Sequence, residues 1–176
     1  LEDPEGVAAL VRALGPAATF VGATLRTGAN PTQLSAGYKG NVVPGSAEAT
    51  LDVRFLPGEE ETVRRTLAEL AGPGVRVEEI HSDVALEVPF EGDLVDRMVA
   101  ALDAEDPGAV VLPYMLSGGT DNKSLSRLGI TGYGFVPLQL PPELDFAGMF
   151  HGVDERVPVD ALHFGVRVLE RLLRSL

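Results

Sequence analysis

The segment from Ser46 to Gly58 constrains the fold more than any other part of the chain, because its apolar and polar residues alternate without interruption. Side chains that alternate in this way point to opposite faces of one β-strand. The pattern predicts an antiparallel strand that is half-buried, with one face on a core and the other in water. The apolar face holds Ala47, Ala49, Leu51, Val53 and Phe55, and the polar face holds Glu48, Thr50, Asp52 and Arg54.

The segments around this strand predict an α+β arrangement. Residues 58–74 predict a helix, because glutamates fill its first turn, apolar residues form a stripe, and a Gly-Pro pair ends it. Strands are predicted at 18–28 and 75–80, with a turn at 28–33. The order strand, strand, helix, strand resembles most of a ferredoxin-like α+β sandwich that lacks its first strand and helix.

The second part of the chain predicts half of an α/β sheet. Residues 91–108 predict an amphipathic helix, residues 109–115 and 130–138 predict buried strands, and a last amphipathic helix closes the chain. This order is half of a doubly wound sheet. We therefore expect two domains, 1–82 and 83–176. The predicted buried stripes are Leu94, Met98 and Leu102 on the first of these helices, and Leu162, Val166, Leu169 and Leu173 on the last.

Composition excludes several classes of function. The chain has no cysteine, which excludes disulfide scaffolds, thiolate zinc sites and cysteine nucleophiles. Its net charge of -12, with no cluster of basic residues, argues against nucleic acids and anionic membranes as partners. No apolar stretch approaches the roughly 18 residues of a membrane span. The first residues lack the pattern of a signal peptide, so we expect a cytoplasmic location.

His151 is the most suggestive single residue. It lies in a loop, and Asp154 and Glu155 follow it closely. A neutral imidazole beside carboxylates is a common metal environment, although a loop histidine at a helix entry is an equally simple interpretation. A zinc site needs three or four ligands. Neither His81 nor His163 has a metal-ligand spacing to His151.

A glycine pair marks a second candidate site. Gly118 and Gly119 precede Thr120, between an apolar run and a short helix that is predicted to end at Gly129. The loop lacks the later glycine or the Lys-Ser pair of the phosphate-binding motifs. Its backbone N–H groups and the Thr120 hydroxyl could hold a carboxylate or a developing oxyanion, with Lys123 adding charge. The alternative is an ordinary strand–helix turn capped by Thr120.

Two polar residues of the first part are further candidates. The Asn41 amide can donate to an oxyanion without a change of charge, or it can be a simple turn asparagine. Arg54 can bind a substrate carboxylate bidentately, or it can be a solvated charge on the polar face of its strand.

These segments, taken together, resemble a known enzyme family. "GYKGNVVPGSAEATLDVRFLPGEE", then "SGGTD", then "FHGVDERV" and a closing amphipathic helix are similar to the co-catalytic dizinc amidohydrolases. That family includes acetylornithine deacetylase, succinyl-diaminopimelate desuccinylase, aminoacylase and the glutamate carboxypeptidases. The resemblance covers nearly all of residues 20–176. It implies a zinc-dependent deacylase or carboxypeptidase that cleaves N-acyl amino acids or dipeptides with a free carboxylate.

The resemblance also implies roles for individual residues. His151 corresponds to the last zinc ligand, and Glu155 would support it from the following motif. Asn41 corresponds to a lid asparagine that reaches an active site, often the one of the partner subunit. Arg54 corresponds to the lid arginine that binds the substrate carboxylate. The loop residues that would contact the same carboxylate or the amide are Gly118, Gly119 and Thr120, with Lys123 where the family often has arginine.

One absence limits what this chain is expected to do alone. The family carries a His-x-Asp motif and a catalytic Glu-Glu pair in an earlier half, upstream of the lid, and the chain has neither at that place; its His81-Ser82-Asp83 comes after the lid segment instead. We therefore expect the C-terminal part of a longer enzyme: part of a lid and dimerisation domain, then the second half of a zinc-peptidase-like α/β catalytic domain. The full enzyme would hold two zinc ions and form a homodimer, and the fragment would be inactive. The alternatives are a non-catalytic ligand-binding or homodimerisation module and a purely structural α+β domain.

Overall fold

The computed structural model describes residues 3–176, except for the side chains of Pro4 and Phe20. The chain divides into two compact units. Unit 1 comprises the described residues as far as Ala23 together with Leu86–Leu176, and unit 2 comprises Thr24–Ala85. The division into domains at residue 82 stays a prediction about the longer protein.

Unit 2 is built on an antiparallel hairpin. Strand β1 (Gly28–Ala36) pairs with strand β2 (Ala47–Arg54) in a register that runs from Gly28 opposite Arg54 to Ala36 opposite Ala47. The predicted antiparallel strand is therefore confirmed. Its burial does not alternate as expected, because Ala47, Ala49 and Leu51 are exposed and only Val53 and Phe55 are half-buried. A two-stranded hairpin has too little neighbouring structure to cover one face along its whole length.

The strand predicted at 18–28 is wrong. Helix α1 (Pro4–Ala13) is followed by a 3-10 turn (Gly15–Ala17) and a short helix α2 (Ala18–Gly22). Local backbone contacts close this helix, with the Ala23 N–H donating to the Thr19 carbonyl over 3.3 Å. The β-branched residues of the segment therefore do not determine its structure, since β-propensity depends strongly on context.

The predicted turn at 28–33 is also wrong, since this segment is the first half of β1. The register is irregular between Pro31 and Gln33, where Thr32 is the extra residue of a bulge. Its hydroxyl donates to the Thr50 carbonyl over 3.2 Å. A bulge on an edge strand tolerates proline, which has no N–H to give to a ladder.

Helix α3 (Glu60–Ala71) confirms the helix predicted after the hairpin. Gly72, with a φ of 71°, ends it in the left-handed region that favours glycine. The strand predicted at 75–80 is not present. Arg64 instead ties this segment to α3, because its guanidinium donates to Glu79 and Ser82 over 2.9 Å each.

Unit 1 contains two long helices that pack together. These are α4 (Asp93–Asp103) and α6 (Val159–Ser175), with the short helix α5 (Asn122–Ser126) and a 3-10 turn (Ala147–Met149) between them. Both long helices were predicted. The residues that form their shared core are Val95, Met98 and Ala101 on α4, and Phe164, Val168 and Leu172 on α6.

The buried stripes differ from those predicted. On α6 the four predicted residues are exposed, from 40% for Leu169 to 70% for Leu173. On α4, Met98 is buried as predicted, but Leu94 is 39% exposed. Apolar residues cover more than one stripe of α6, and periodicity alone cannot choose which stripe a neighbour will cover. The residues of α6 that are buried instead are Ala161, Phe164, Gly165, Val168 and Leu172.

The strands predicted at 109–115 and 130–138 are not formed. Within residues 3–176 the sheet consists of β1 and β2 alone. Val110 and Leu112 are 81% and 73% exposed. A strand needs a hydrogen-bonded neighbour, and neither segment has one here. The observed fold is therefore α+β with a small antiparallel sheet, and the half α/β sheet and the ferredoxin-like lid stay predictions. None of the helices in the described part of the chain has the length and hydropathy that a bilayer crossing requires.

Candidate functional site

The loop around His151 has an unusual backbone. His151 has a φ of 60°, and it is the only residue other than glycine with a positive φ in the described part of the chain. Its backbone N–H donates to Glu155 Oε2 over 3.3 Å. The histidine itself is exposed. Residues held in sparsely populated conformations cluster at functional sites, so this strain agrees with a functional loop.

Short contacts within the same loop hold this conformation. The Gly152 N–H donates to the Met149 carbonyl over 2.9 Å, and the Gly148 N–H donates to Asp145 over 3.0 Å. A Cβ on Gly152 would lie 2.9 Å from the Met149 oxygen, so a larger residue would displace the backbone. The loop thus presents the His151 side chain at the surface from a closely constrained turn.

The histidine does not have a full set of metal ligands around it. Among residues 3–176, no three His, Asp or Glu side chains come close enough to hold one metal ion. A structural or catalytic zinc site takes at least three protein ligands. The donors that this chain supplies therefore do not fit a complete zinc site, and any such site needs further ligands from elsewhere.

The glycine loop lies open on the surface of unit 1. A Cβ on Gly119 would meet nothing within 4 Å, and neither Gly118 nor Gly119 has a positive φ. Neither packing nor backbone conformation therefore requires glycine at these two positions. The predicted Thr120 cap is not formed, because α5 has no side-chain cap, although the Thr120 carbonyl accepts from the Lys123 N–H over 3.1 Å. Lys123 is half-buried.

Asn41 lies at a turn in the connection between β1 and β2. The Val42 N–H donates to the Lys39 carbonyl over 3.2 Å, which closes the turn around Asn41. All of residues 37–46 are exposed. The backbone at Asn41 is thus that of a turn asparagine, and its amide is at the surface.

Arg54 is the last residue of β2, and it is not a lone solvated charge. Its Nε donates to both carboxylate oxygens of Asp52, over 3.1 and 2.9 Å. The two side chains are 53% and 45% exposed. This pair was not predicted from the sequence, although the spacing of two residues on the polar face of one strand is a signal for it.

The candidate residues of unit 2 do not converge. Arg54 lies opposite Gly28 at one end of the hairpin, whereas the connection that carries Asn41 leaves the other end, at Ala36 and Ala47. Seven residue steps of β2 separate these ends, or about 24 Å of extended chain. In unit 1, His151 and the glycine loop lie on separate surface loops.

A groove lies between α4 and α6, and it was not predicted from the sequence. Its volume is about 380 Å³, and its charged lining consists of Arg97, Arg171 and Arg174. Each arginine is already paired, with Asp93, Glu105 and Glu170 respectively. The carboxylates neutralise the groove, which makes it a weak candidate for an anion site.

Comparisons with known proteins agree with the resemblance found in the sequence. A family model described as a peptidase dimerisation domain matches residues 7–76. Human aminoacylase-1 is 27% identical over 85% of this chain and 37% of its own length. The human N-fatty-acyl-amino acid synthase/hydrolase PM20D1 is 29% identical over 87% of this chain and 31% of its own length. No solved structure matches the chain.

A bacterial relative points to the same group. DapE of Mycobacterium tuberculosis, whose name assigns it to the succinyl-diaminopimelate desuccinylases, is 28% identical over 86% of this chain. These matches support the M20 peptidase family for this chain, and the relatives matched here are hydrolases. It spans 31% to 40% of the length of these three relatives.

Proposed function

We propose that this chain is the C-terminal part of a zinc-dependent amidohydrolase that cleaves N-acyl amino acids or dipeptides with a free carboxylate. The observation that carries the proposal is the match to relatives named for acyl amino acids across at least 85% of the chain. The incomplete set of metal ligands agrees with this proposal. The chain spans at most 40% of the length of those relatives, so the other ligands would lie in the part that it does not span.

His151 would be one ligand of the metal centre, and polypeptide outside this chain would supply the others. Its constrained, exposed loop is suited to that role, since it fixes the backbone while leaving the imidazole accessible. Glu155 would hold the loop through its contact with the His151 N–H. When bound, zinc activates water for hydrolysis.

The remaining candidates would bind the substrate. The Arg54 guanidinium would bind the substrate carboxylate, with Asp52 holding its Nε. The exposed backbone at Gly118, Gly119 and Thr120 would approach the same carboxylate or the amide. Lys123 would add charge there without the fork of an arginine. The Asn41 amide would donate to the oxyanion that forms at the cleaved bond.

A comparison of the three histidines tests the metal assignment. In the longer gene product, His151→Ala should lower the zinc content and reduce kcat/KM for N-acyl amino acids by at least about 100-fold. His81→Ala and His163→Ala are the matched controls, because both side chains are exposed and neither belongs to the loop. Full zinc content and full rate in His151→Ala would refute the ligand assignment.

The chain alone is expected to be inactive. Purified 176-residue chain should neither retain stoichiometric zinc nor hydrolyse N-acyl amino acids. Both properties should appear in a longer gene product that encodes a His-x-Asp motif and paired glutamates upstream. Robust turnover by the isolated chain would contradict the proposal.

A second candidate function is a homodimerisation or ligand-binding module without chemistry. The family model that matches residues 7–76 is a dimerisation domain, which favours self-association in either case. A reading frame that lacks the upstream motifs, together with dimerisation of the isolated chain in light scattering, would favour this module over the enzyme. A cytoplasmic location and the identity of the metal stay part of the proposal.

A further inference from the structure

The hairpin of unit 2 is closed at one end by its connection and open at the other. The connection runs from Ala36 to Ala47. At the other end, which we call the open end, the last pair of the ladder is Gly28 opposite Arg54. A two-stranded hairpin is only marginally stable, and the ends of a ladder open most easily. A side chain that must stay in one place at the open end therefore needs contacts from outside the ladder.

The hydroxyl of Thr27 supplies such contacts. Thr27 directly precedes β1, and its Oγ1 accepts from the Leu56 N–H over 3.1 Å. The same hydroxyl donates to Glu59 Oε2. A hydroxyl can donate one hydrogen bond while it accepts others, so both contacts form at the same time. Thr27, which is half-buried, thereby joins the start of β1 to the segment that follows β2.

The segment that Thr27 contacts is a tight turn. Residues 56–59 form it, and the Glu59 N–H donates to the Leu56 carbonyl over 3.1 Å. Pro57 at the second position and Gly58, with a φ of 82°, at the third are the residues typical of a type II turn. Helix α3 begins directly after Glu59. The Thr27 hydroxyl therefore ties the open end both to this turn and to the start of a helix.

Arg54 is held from two directions at this end. Its side chain is oriented by Asp52, whose carboxylate accepts twice from the Arg54 Nε, over 3.1 and 2.9 Å. Its backbone lies between the ladder pair with Gly28 and the Leu56 N–H that Thr27 binds. The Asp52 contact fixes the guanidinium relative to β2, and the Thr27 contacts fix the end of β2 itself. Loss of either set would give the guanidinium more freedom.

We propose that Thr27 is a positioning residue for Arg54, whose guanidinium binds the free carboxylate of the substrate. This inference rests on the proposed function, because that function assigns the carboxylate to Arg54. By closing the open end, the Thr27 hydroxyl holds the guanidinium in place before the substrate arrives, so less conformational freedom is lost on binding. Valine has the shape of threonine without either hydrogen bond, and it therefore isolates the contribution of the hydroxyl.

Discrimination in favour of the carboxylate tests this role in the longer gene product. The readout is the ratio of kcat/KM for an N-acyl amino acid to kcat/KM for its C-terminal amide, which lacks the carboxylate charge. Thr27→Val should lower this ratio about 10-fold, since a displacement of about 1 Å can cost as much as about 100-fold. Thr27→Ser keeps the hydroxyl and should restore most of the ratio. Thr32→Val is the matched control and should leave the ratio unchanged, because the Thr32 hydroxyl donates to the Thr50 carbonyl away from the open end.

Arg54→Ala separates the positioning role from the proposed function. It should lower the ratio by at least about 10-fold, and adding Thr27→Val should lower it no further, because both changes act through one guanidinium. An unchanged ratio in Thr27→Val, an equal loss in Thr32→Val, or independent losses in the double variant would overturn the positioning role. So would a Thr27→Ser protein that is as impaired as Thr27→Val. An unchanged ratio in Arg54→Ala would refute the role of Arg54 in the proposed function.

Two further measurements apply if Thr27→Val is inactive for other reasons or does not fold. In the 176-residue chain, the Leu56 amide should exchange at least about 10-fold faster in Thr27→Val than in the parent, because it loses its acceptor. Glu59→Ala removes only the second contact of the hydroxyl, and in the longer protein it should lower the ratio about 3-fold. Unchanged exchange at Leu56, or an unchanged ratio in Glu59→Ala, would overturn the proposal.

Discussion

His151 lies in the left-handed region, where the Cβ of an L-residue crowds the following carbonyl at a cost of roughly 1 kcal/mol. Glycine has no Cβ, so His151→Gly should raise the free energy of unfolding by about 0.5 to 1 kcal/mol, as measured in urea. The same change should abolish activity in the longer protein. A variant that is more stable and inactive would show that the strain is kept for function. A destabilised variant would instead show that the imidazole holds the loop together.

Glu105 joins the two long helices of unit 1. Its carboxylate accepts from Arg167 and Arg171 over 2.6 and 2.5 Å, and these hydrogen bonds lower the pKa of Glu105. The pKa of Glu105 is lower in the folded than in the unfolded chain. The stabilisation is therefore fully present at pH values above the unfolded pKa. It is lost as the pH falls through the folded value.

The lowered pKa of Glu105 predicts how its contribution to stability changes with pH. Glu105→Gln should lower Tm at pH 7, and the difference from the parent should shrink as the pH falls below about 4. Thermal melts of both proteins between pH 7 and pH 3 measure it. Glu170→Gln is the matched control, because Glu170 pairs with Arg174 on the exposed side of α6 and should matter less. A constant difference across this range would contradict the role of the Glu105 charge.

At the level of elements, two valines of α6 separate the predicted stripe from the observed one. Val168 is fully buried, whereas Val166, from the stripe predicted to be buried, is 63% exposed. Val168→Ala removes two buried methyl groups and should cost about 2 kcal/mol of unfolding free energy. Val166→Ala should change it by less than about 0.5 kcal/mol. Urea unfolding of the two variants decides which stripe is buried. A larger loss of unfolding free energy in Val166→Ala than in Val168→Ala would favour the stripe predicted from the sequence.

The elements that the sequence predicted correctly are those that local chemistry defines. The first-turn glutamates and Gly72 delimit α3, and alternation defines β2. Strand β1 was missed because Pro31 suggested a turn, and a proline at a bulge looks the same in a sequence as a proline in a loop. The segments 109–115 and 130–138 have the composition of strands but no ladder partner, and composition does not reveal whether a partner is present.

For the candidate site too, the sequence indicates residues but not their contacts in three dimensions. The sequence identified Arg54 and the loop of His151, but the bond from Arg54 to Asp52 and the left-handed backbone of His151 follow from three-dimensional contacts. Individual residue types therefore indicate which chemistry is available. The placement of these residues, such as the separation of Asn41 from Arg54, requires the paired strands.

For the whole molecule, the opposite ends of the hairpin suggest how two subunits would share their sites. Arg54 and the connection that carries Asn41 are separated by the full length of β2. At about 3.4 Å per strand residue this separation is about 24 Å, which is longer than a dipeptide substrate. If the longer protein is a homodimer, we therefore expect Arg54 to act in the site of its own subunit and Asn41 to act in the site of the partner.

Mixing two inactive variants of the longer protein tests this arrangement. Asn41→Ala and Arg54→Ala should each lower activity by at least about 10-fold alone, because each removes one polar contact to the transition state. After random exchange of subunits at equal amounts, half of the dimers are mixed, and each mixed dimer keeps one site with both side chains intact. Activity should therefore return to about a quarter of that of the parent protein. If both residues served the same site, every mixed dimer would carry one defect per site, and mixing would restore nothing.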